Sequence, residues 1–263
     1  VFVTGTSKGT TSFDYATVKY NSSGVQQWVQ RYDGSASGDD GAVGIALGTG
    51  NRVFVTGIAK TNTGANDIVT IRYNPLNGTQ NWVSTINGTS SGNDAAYALI
   101  ADGNDVVVCG KVRNGATGDD YVIVKINGNN GATIFQREYD GVGQADFATS
   151  LAKDTQGNYV VTGISRAGSG INYHTLKYDN NGTQLWLNKR NNLNSTFNTV
   201  TPKIITDFVD HIYVCGEITI NNIDMLLYQI TPNGTTTWTE TYNGTINGTD
   251  AAVDMVVNNI GQI

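Results

Sequence analysis

Charge is scarce in this chain: only 14% of its 263 residues are Asp, Glu, Lys or Arg, and the net charge is −6. A nucleic-acid surface needs clustered Lys and Arg, so that class is excluded. Two histidines, two cysteines and two methionines leave little for metal, thiol or imidazole chemistry. His174 falls within a strand-like run and His211 just before one, and neither sits in a ligand spacing. Two cysteines in a chain of this length do not make a disulfide scaffold, and Cys109 and Cys215 read as buried thiols. Proline occurs three times, so proline-rich linkers are absent, while 32 glycines imply many turns. No apolar run approaches the roughly 18 residues of a membrane helix. Phosphate loop, zinc spacing and EF-hand loop are missing too. No cofactor is expected, apart from weak Ca²⁺ binding at the acidic "SGDDG" stretch beginning at Ser37. The chain opens inside a strand without an initiator Met, which suggests a mature product or a piece of a longer protein.

What is present is a repeat. "VFVTG" at Val1 returns as "VFVTG" at Val53, "VVVCG" at Val106, "YVVTG" at Tyr159 and "IYVCG" at Ile212, 52 or 53 residues apart. Ile263 would open a sixth copy. The copies are 1–52, 53–105, 106–158, 159–211 and 212–262, with no linker between them. Each contains four short runs rich in β-branched and aromatic residues, bounded by Gly, Asn or Asp. In the third these are A, "DAAYALIA" from Asp94; B, "VVVCGKV" from Val106; C, "DYVIVKI" from Asp120; and D, "GATIFQREY" from Gly131. No segment sustains a helical period. Four antiparallel strands repeated at this interval predict an all-β fold, a β-propeller of four-stranded blades forming a single domain.

Strand D carries an aromatic four residues after its glycine: Trp28, Trp82, Phe135, Trp186 and Trp238. Large rings at one fixed phase predict structural packing between blades rather than ligand stacking. A cation recurs in strand C at Lys19, Arg72, Lys125 and Lys177, with Gln229 in the fifth copy. An acid recurs at the start of strand A at Asp40, Asp94, Asp146 and Asp250, with Asn198 in the fourth. A buried cation needs a partner. Because strand A belongs to the blade completed by the following copy, the expected pairs are Asp40 with Arg72, Asp94 with Lys125, and Asp146 with Lys177. Asn198 then falls with Gln229, so acid and base disappear together. Asp250 would meet Lys19 if the C-terminal strand A completed the first blade, closing a five-bladed ring. That closure is favoured over an arc of a larger propeller. Acids committed in this way are structural, and no catalytic or metal residue is assigned.

The elements "GNxxVVTG", "DxxxxKY", "NxxGxxxW" and "YDG…DxA" resemble the bacterial SBBP-type β-propeller repeat, over the whole chain. The resemblance implies a secreted or cell-surface setting within a large multidomain protein, mostly without assigned chemistry. The fourth copy departs most, with Pro202 where strand A should run, so its inner strand is expected to be irregular. Asn-Gly-Thr triplets at Asn77, Asn181 and Asn233 read as hairpin turns rather than glycosylation sites.

The A–B and C–D turns should share one face and be short. The B–C and D–A loops, such as "AKTNTGAN" and "DGSASGDD", should share the other and be long. Long loops on a rigid scaffold are where binding usually resides. The expected function is a non-catalytic, adhesin-like binding or scaffold module contacting protein or glycan through that face. The alternatives are a carbohydrate-active enzyme with a propeller fold and a structural spacer.

Overall fold

In a computed structural model the chain forms two compact units, Val1–Glu138 and Tyr139–Ile263. The structure describes all residues except 37, 63, 142–143, 169, 192, 194–200, 221 and 259–263. Asn198 and Ile263 therefore lie outside the described residues. No described helix is long and apolar enough to cross a membrane.

The first unit holds three antiparallel sheets. The first is β1 (Phe2–Lys8), β2 (Phe13–Tyr20) and β3 (Gln26–Tyr32). The second is β4 (Gly41–Gly48), β5 (Arg52–Lys60), β6 (Asn66–Tyr73) and β7 (Gln80–Ile86). The third is β8 (Ala95–Asp102), β9 (Asp105–Asn114), β10 (Gly118–Ile126) and β11 (Thr133–Tyr139). The second unit holds two more. One is β12 (Asp146–Lys153), β13 (Tyr159–Ala167), β14 (Gly170–Tyr178) and β15 (Gln184–Arg190). The other is β16 (Lys203–Thr206), β17 (Ile212–Thr219), β18 (Ile223–Ile230) and β19 (Thr236–Tyr242). As expected, each four-stranded sheet takes strand A from one copy and B, C and D from the next. Strand β16 has only four residues and starts directly after Pro202, which cannot donate to a ladder.

Within each unit successive sheets meet most closely along their inner strands, β4 with β8 and β12 with β16. Both faces of the middle sheet of the first unit are therefore covered, and its strands read as near-continuous apolar runs. Strand β6 is buried from Asp67 to Ile71. The cores lie between sheets. Tyr15 and Trp28 pack on Val53, Ile71 and Tyr73; Phe54 and Ile68 on Val106, Val108 and Val122; Ile164 and Tyr173 on Val214, Leu226 and Tyr228.

Two expectations are corrected here. First, residues 250–258 form no strand, and the N-terminal sheet has three strands. The Asp250 N–H instead donates to the Ile223 carbonyl at 2.7 Å, and that of Ala252 to Gly216 at 3.2 Å. Second, the B–C loops are not long. Strands B and C extend through the Gly/Asn-rich stretches, leaving 61–65 between β5 and β6 and 115–117 between β9 and β10. The D–A segments 33–40 and 87–94 are longer, eight residues each.

Candidate functional site

The recurring acids at the start of strand A organise the D–A face. Each accepts a backbone N–H from its D–A loop, and Asp40 and Asp94 accept a second from the end of strand B. Asp94 Oδ2 accepts the Gly88 N–H at 2.9 Å and Oδ1 the Arg113 N–H at 2.6 Å. Asp40 accepts the N–H groups of Gly34 and Lys60 in the same way. Asp146 accepts from Gly141 at 2.7 Å, and Asp250 from Gly244 at 2.7 Å. One buried carboxylate thus ties a D–A loop to the end of strand B in two copies. The close approach requires glycine: a Cβ on Gly88 would lie 2.1 Å from the Arg113 carbonyl oxygen. Burial pushes Asp40 above the usual carboxylate range, against the two amides that lower it. Burial pushes Asp94 up to about 6, the negative charge of Asp67 adding to the effect.

The expected acid–base pairs are therefore not made. Lys125 Nζ meets Asp102 at 2.9 Å, not Asp94. Lys177 Nζ meets Asp154 at 2.8 Å, not Asp146. Arg72 donates to the Gly128 carbonyl at 2.8 Å, not to Asp40. Asp250 is occupied by Gly244, and Lys19 donates to the Pro75 carbonyl at 2.7 Å. The ladder explains the failure. Lys125 is in register with Val107, and Val107 with Ile100, six residues along strand A from Asp94. At about 3.3 Å per residue that is roughly 20 Å. Asp102 and Asp154 lie at the opposite end of strand A, in the A–B turn, where the end of strand C arrives. The fifth copy follows the same rule with neutral groups. Gln229 Nε2 donates to Tyr213 Oη at 3.0 Å, and that hydroxyl donates to Asp207 at 3.0 Å.

Three of the strand-D aromatics act with the strand-C cations. Lys19 is in register with Trp28, Arg72 with Trp82, and Lys177 with Trp186. Each pair reaches one carbonyl in the next copy's C–D turn. Trp28 Nε1 joins Lys19 on Pro75 O at 3.3 Å, Trp82 joins Arg72 on Gly128 O at 3.1 Å, and Trp186 joins Lys177 on Pro232 O at 2.9 Å. Phe135 is buried, and the Trp238 ring lies tilted against Tyr213, with centroids 6.1 Å apart. The indole also covers the next copy's turn glycine. Gly78 has φ +77°, and a Cβ there would stand 2.8 Å from Trp28 Cδ2.

Cys109 and Cys215 are free and buried. They face Ile123 and Leu227 across the ladder, whereas the other copies place Thr4 opposite Thr17, Thr56 opposite Thr70, and Thr162 opposite Thr175. Those hydroxyls bond at 2.9–3.0 Å. His174 is buried in β14, between Tyr139 Oη at 3.0 Å and Asn191 Oδ1 at 3.2 Å, and burial depresses its pKa to about 4. In the "SGDDG" stretch Asp39 accepts the Phe13 N–H at 3.0 Å. Asp40 groups with Asp14 and Asp33 instead, one carboxylate oxygen of each lying within 4.8 Å of the others.

Sequence reasoning missed two recurring sets: the A–B turn acids Asp102, Asp154 and Asp207, and the acids at the start of strand C, Asp14, Asp67, Asp120 and Asp224. Both recur at fixed phase, as the "DxxxxKY" element already displayed for the second.

No protein-family model matches the chain, and no curated protein matches it. It is similar to a solved protein of unknown function from Bacteroides caccae (12% identity, 95% of this chain and 97% of that one, TM-score 0.47). It is also similar to BamB from Moraxella catarrhalis (13% identity, 97% and 88%, TM-score 0.29). A third is a subtype N11 neuraminidase-like protein of A/flat-faced bat/Peru/033/2010 (H18N11) (10% identity, 73% and 50%, TM-score 0.42). Similarity at this level assigns no function.

Proposed function

We propose that this chain is a β-propeller domain that acts as a non-catalytic binding or scaffold module of an extracellular or cell-surface protein. Its contact surface is the D–A loop face, and its partner is a glycan or a protein. The carrying observation is the pair of amides held by Asp40 and by Asp94, which fixes each loop to the end of a strand. Loops pinned in this way lose little conformational freedom on contact, which favours binding. The same observation weighs against these acids as general acids, because Asp94 is fully buried and cannot touch a substrate. The low charge leaves a surface of Asn, Thr, Ser and Gly, suited to hydroxyl-bearing ligands. A glycan array with the recombinant chain, followed by a hydrolysis screen on any hit, tests the proposal. Retention without turnover supports a binding module. Turnover of a retained glycan would replace it with the carbohydrate-active reading, and no retention of glycan or of surface protein would leave the spacer.

A further inference from the structure

The D–A face of the first unit carries a cleft of about 360 Å³ lined by its first two sheets. Thr6 of β1 and Phe13 of β2 line it from one sheet. Asp39, Gly41, Val43 and Asn66 line it from the next sheet and from the loop leading into that sheet. The backbone of Phe13 is held on both sides: its N–H donates to Asp39 Oδ1 at 3.0 Å, and its carbonyl accepts the Asp40 N–H at 2.7 Å. Its side chain is nevertheless 43% exposed, and Val43 is 45% exposed, so apolar surface from both sheets stays open to solvent.

The polar groups of this cleft are uncommitted. Among the described residues the Thr6 hydroxyl and the Asn66 side-chain amide make no hydrogen bond, and Asp39 uses one oxygen only. Gly41 keeps the hydroxyl clear, since a Cβ there would stand 2.9 Å from Thr6 Oγ1. The corresponding gap between the second and third sheets differs at each of these points. Ala95 stands in place of Gly41, in register with Lys111 as Gly41 is with Ile58. Lys111 pairs with Asp119 at 2.8 Å, and Asp119 precedes Asp120 as Asn66 precedes Asp67. Asn93 accepts the Asn66 N–H at 3.0 Å as Asp39 accepts that of Phe13, so the aromatic ring has no counterpart there. The second gap spends its polar side chains on one another; the first leaves them open beside a ring.

We propose that this cleft binds a neutral sugar residue, with Phe13 against the C–H face of the sugar ring and Asp39, Asn66 and Thr6 on its hydroxyls. The inference rests on the D–A face being the contact surface and names the class of ligand that face takes. A pyranose presents an apolar face and a rim of hydroxyls that both donate and accept. A half-exposed ring beside a carboxylate, an amide and a hydroxyl answers both. The volume lies at the low end for small-molecule sites, which suits a mono- or disaccharide. Among the described residues no Lys or Arg lines the cleft, and Asp39 repels an anion, so sialic and uronic acids are disfavoured.

The test presents the whole chain with immobilised oligosaccharides of glucose, galactose, mannose and N-acetylglucosamine, alongside sialylated and uronate-containing ones. Neutral glycans should be retained and acidic ones not. Calorimetry with the glycan retained should then show Phe13→Ala weakening binding about tenfold and Thr6→Val about fivefold. Thr6 is exposed and the exchange changes its shape little, so Thr6→Val keeps the test open if Phe13→Ala melts early. Tyr97→Ala, at the 40% exposed position of the third sheet that matches Val43, should bind as wild type does. Loss of binding in Tyr97→Ala with none in Phe13→Ala and Thr6→Val would overturn the cleft and leave the D–A face standing. Wild-type binding by every variant would remove the face as well. Retention of acidic glycans alone, or of none, would overturn the sugar proposal and leave the face to its protein partner.

Discussion

The buried pair of Lys177 and Asp154 gives the sharpest test of how a blade is tied together. Its atoms are 2.8 Å apart, and the two side chains are 6% and 0% exposed. At an effective dielectric of 20 the Coulomb attraction is about 6 kcal/mol, and desolvation offsets much of it. Breaking one side of a buried pair costs about 3–5 kcal/mol. Lys177→Met should fall near 3 kcal/mol, because Asp154 keeps three other donors: the N–H of Gln156 at 3.0 Å, that of Asn158 at 2.8 Å, and Asn158 Nδ2 at 2.8 Å. Urea unfolding of a double-mutant cycle with Asp154→Asn should return a coupling of about 1–3 kcal/mol. The same cycle with Asp146→Asn should be additive within about 0.5 kcal/mol, since six residues of strand separate Asp146 from Ala152, the residue in ladder with Val160 and hence Lys177. Burial alone would raise Asp154, but the bonds from Lys177 and Asn158 outweigh it and hold its pKa low. Its stabilisation is thus present above the unfolded carboxylate value and is lost as pH falls through the lower folded value. Stronger coupling of Lys177 to Asp146 than to Asp154 would refute the register reasoning.

Three further outcomes are expected. Cys109→Thr should cost about 1–3 kcal/mol by placing a hydroxyl opposite Ile123, and adding Ile123→Thr should recover part of it, read from urea midpoints. Gly24→Ala and Gly78→Ala share φ +77°, but only the second meets an indole, so Gly78→Ala should lower Tm further than the ~1 kcal/mol loss expected of Gly24→Ala. The folded pKa of His174, about 4, lies below the unfolded value near 6.5. The unfolded chain therefore takes up the proton first, and stability should fall by on the order of 3 kcal/mol between pH 6.5 and 4. His174→Gln should flatten that part of a pH series of melting curves.

The repeat, the strand assignment and the passage of strand A into the following sheet were legible because each leaves a period in the text. The aromatic phase was legible for the same reason. The partner of Lys125 was not, because two acids, Asp94 and Asp102, flank the same strand A, and either satisfies a count. The face rule for up-and-down strands could have decided it: the end of strand C meets the A–B turn, never the start of strand A. The joint loss of charge at Asn198 and Gln229 looked like compensation. Gln229 is instead joined to Asp207 through Tyr213, so the coincidence carried no contact. Loop lengths misled because Gly- and Asn-rich text continues the ladder in β5 and β6, a matter of pairing and not of propensity.

The copies act as internal controls on one another, and the useful information lies where they differ. Thr opposite Thr changes to Cys opposite an aliphatic residue, so both members of a buried pair change class at once. The strand-C cation finds an acid where the A–B turn supplies one, as at Asp102 and Asp154, and at Arg72 it finds a carbonyl. By that standard the start of strand C is the exception. There Ser12 is replaced by Ala65 and Arg31 by Thr85 while the acid Asp67 is retained, and among the described residues its buried Oδ1 has no hydrogen-bond donor. Elsewhere in this fold a lost partner is matched by a changed neighbour.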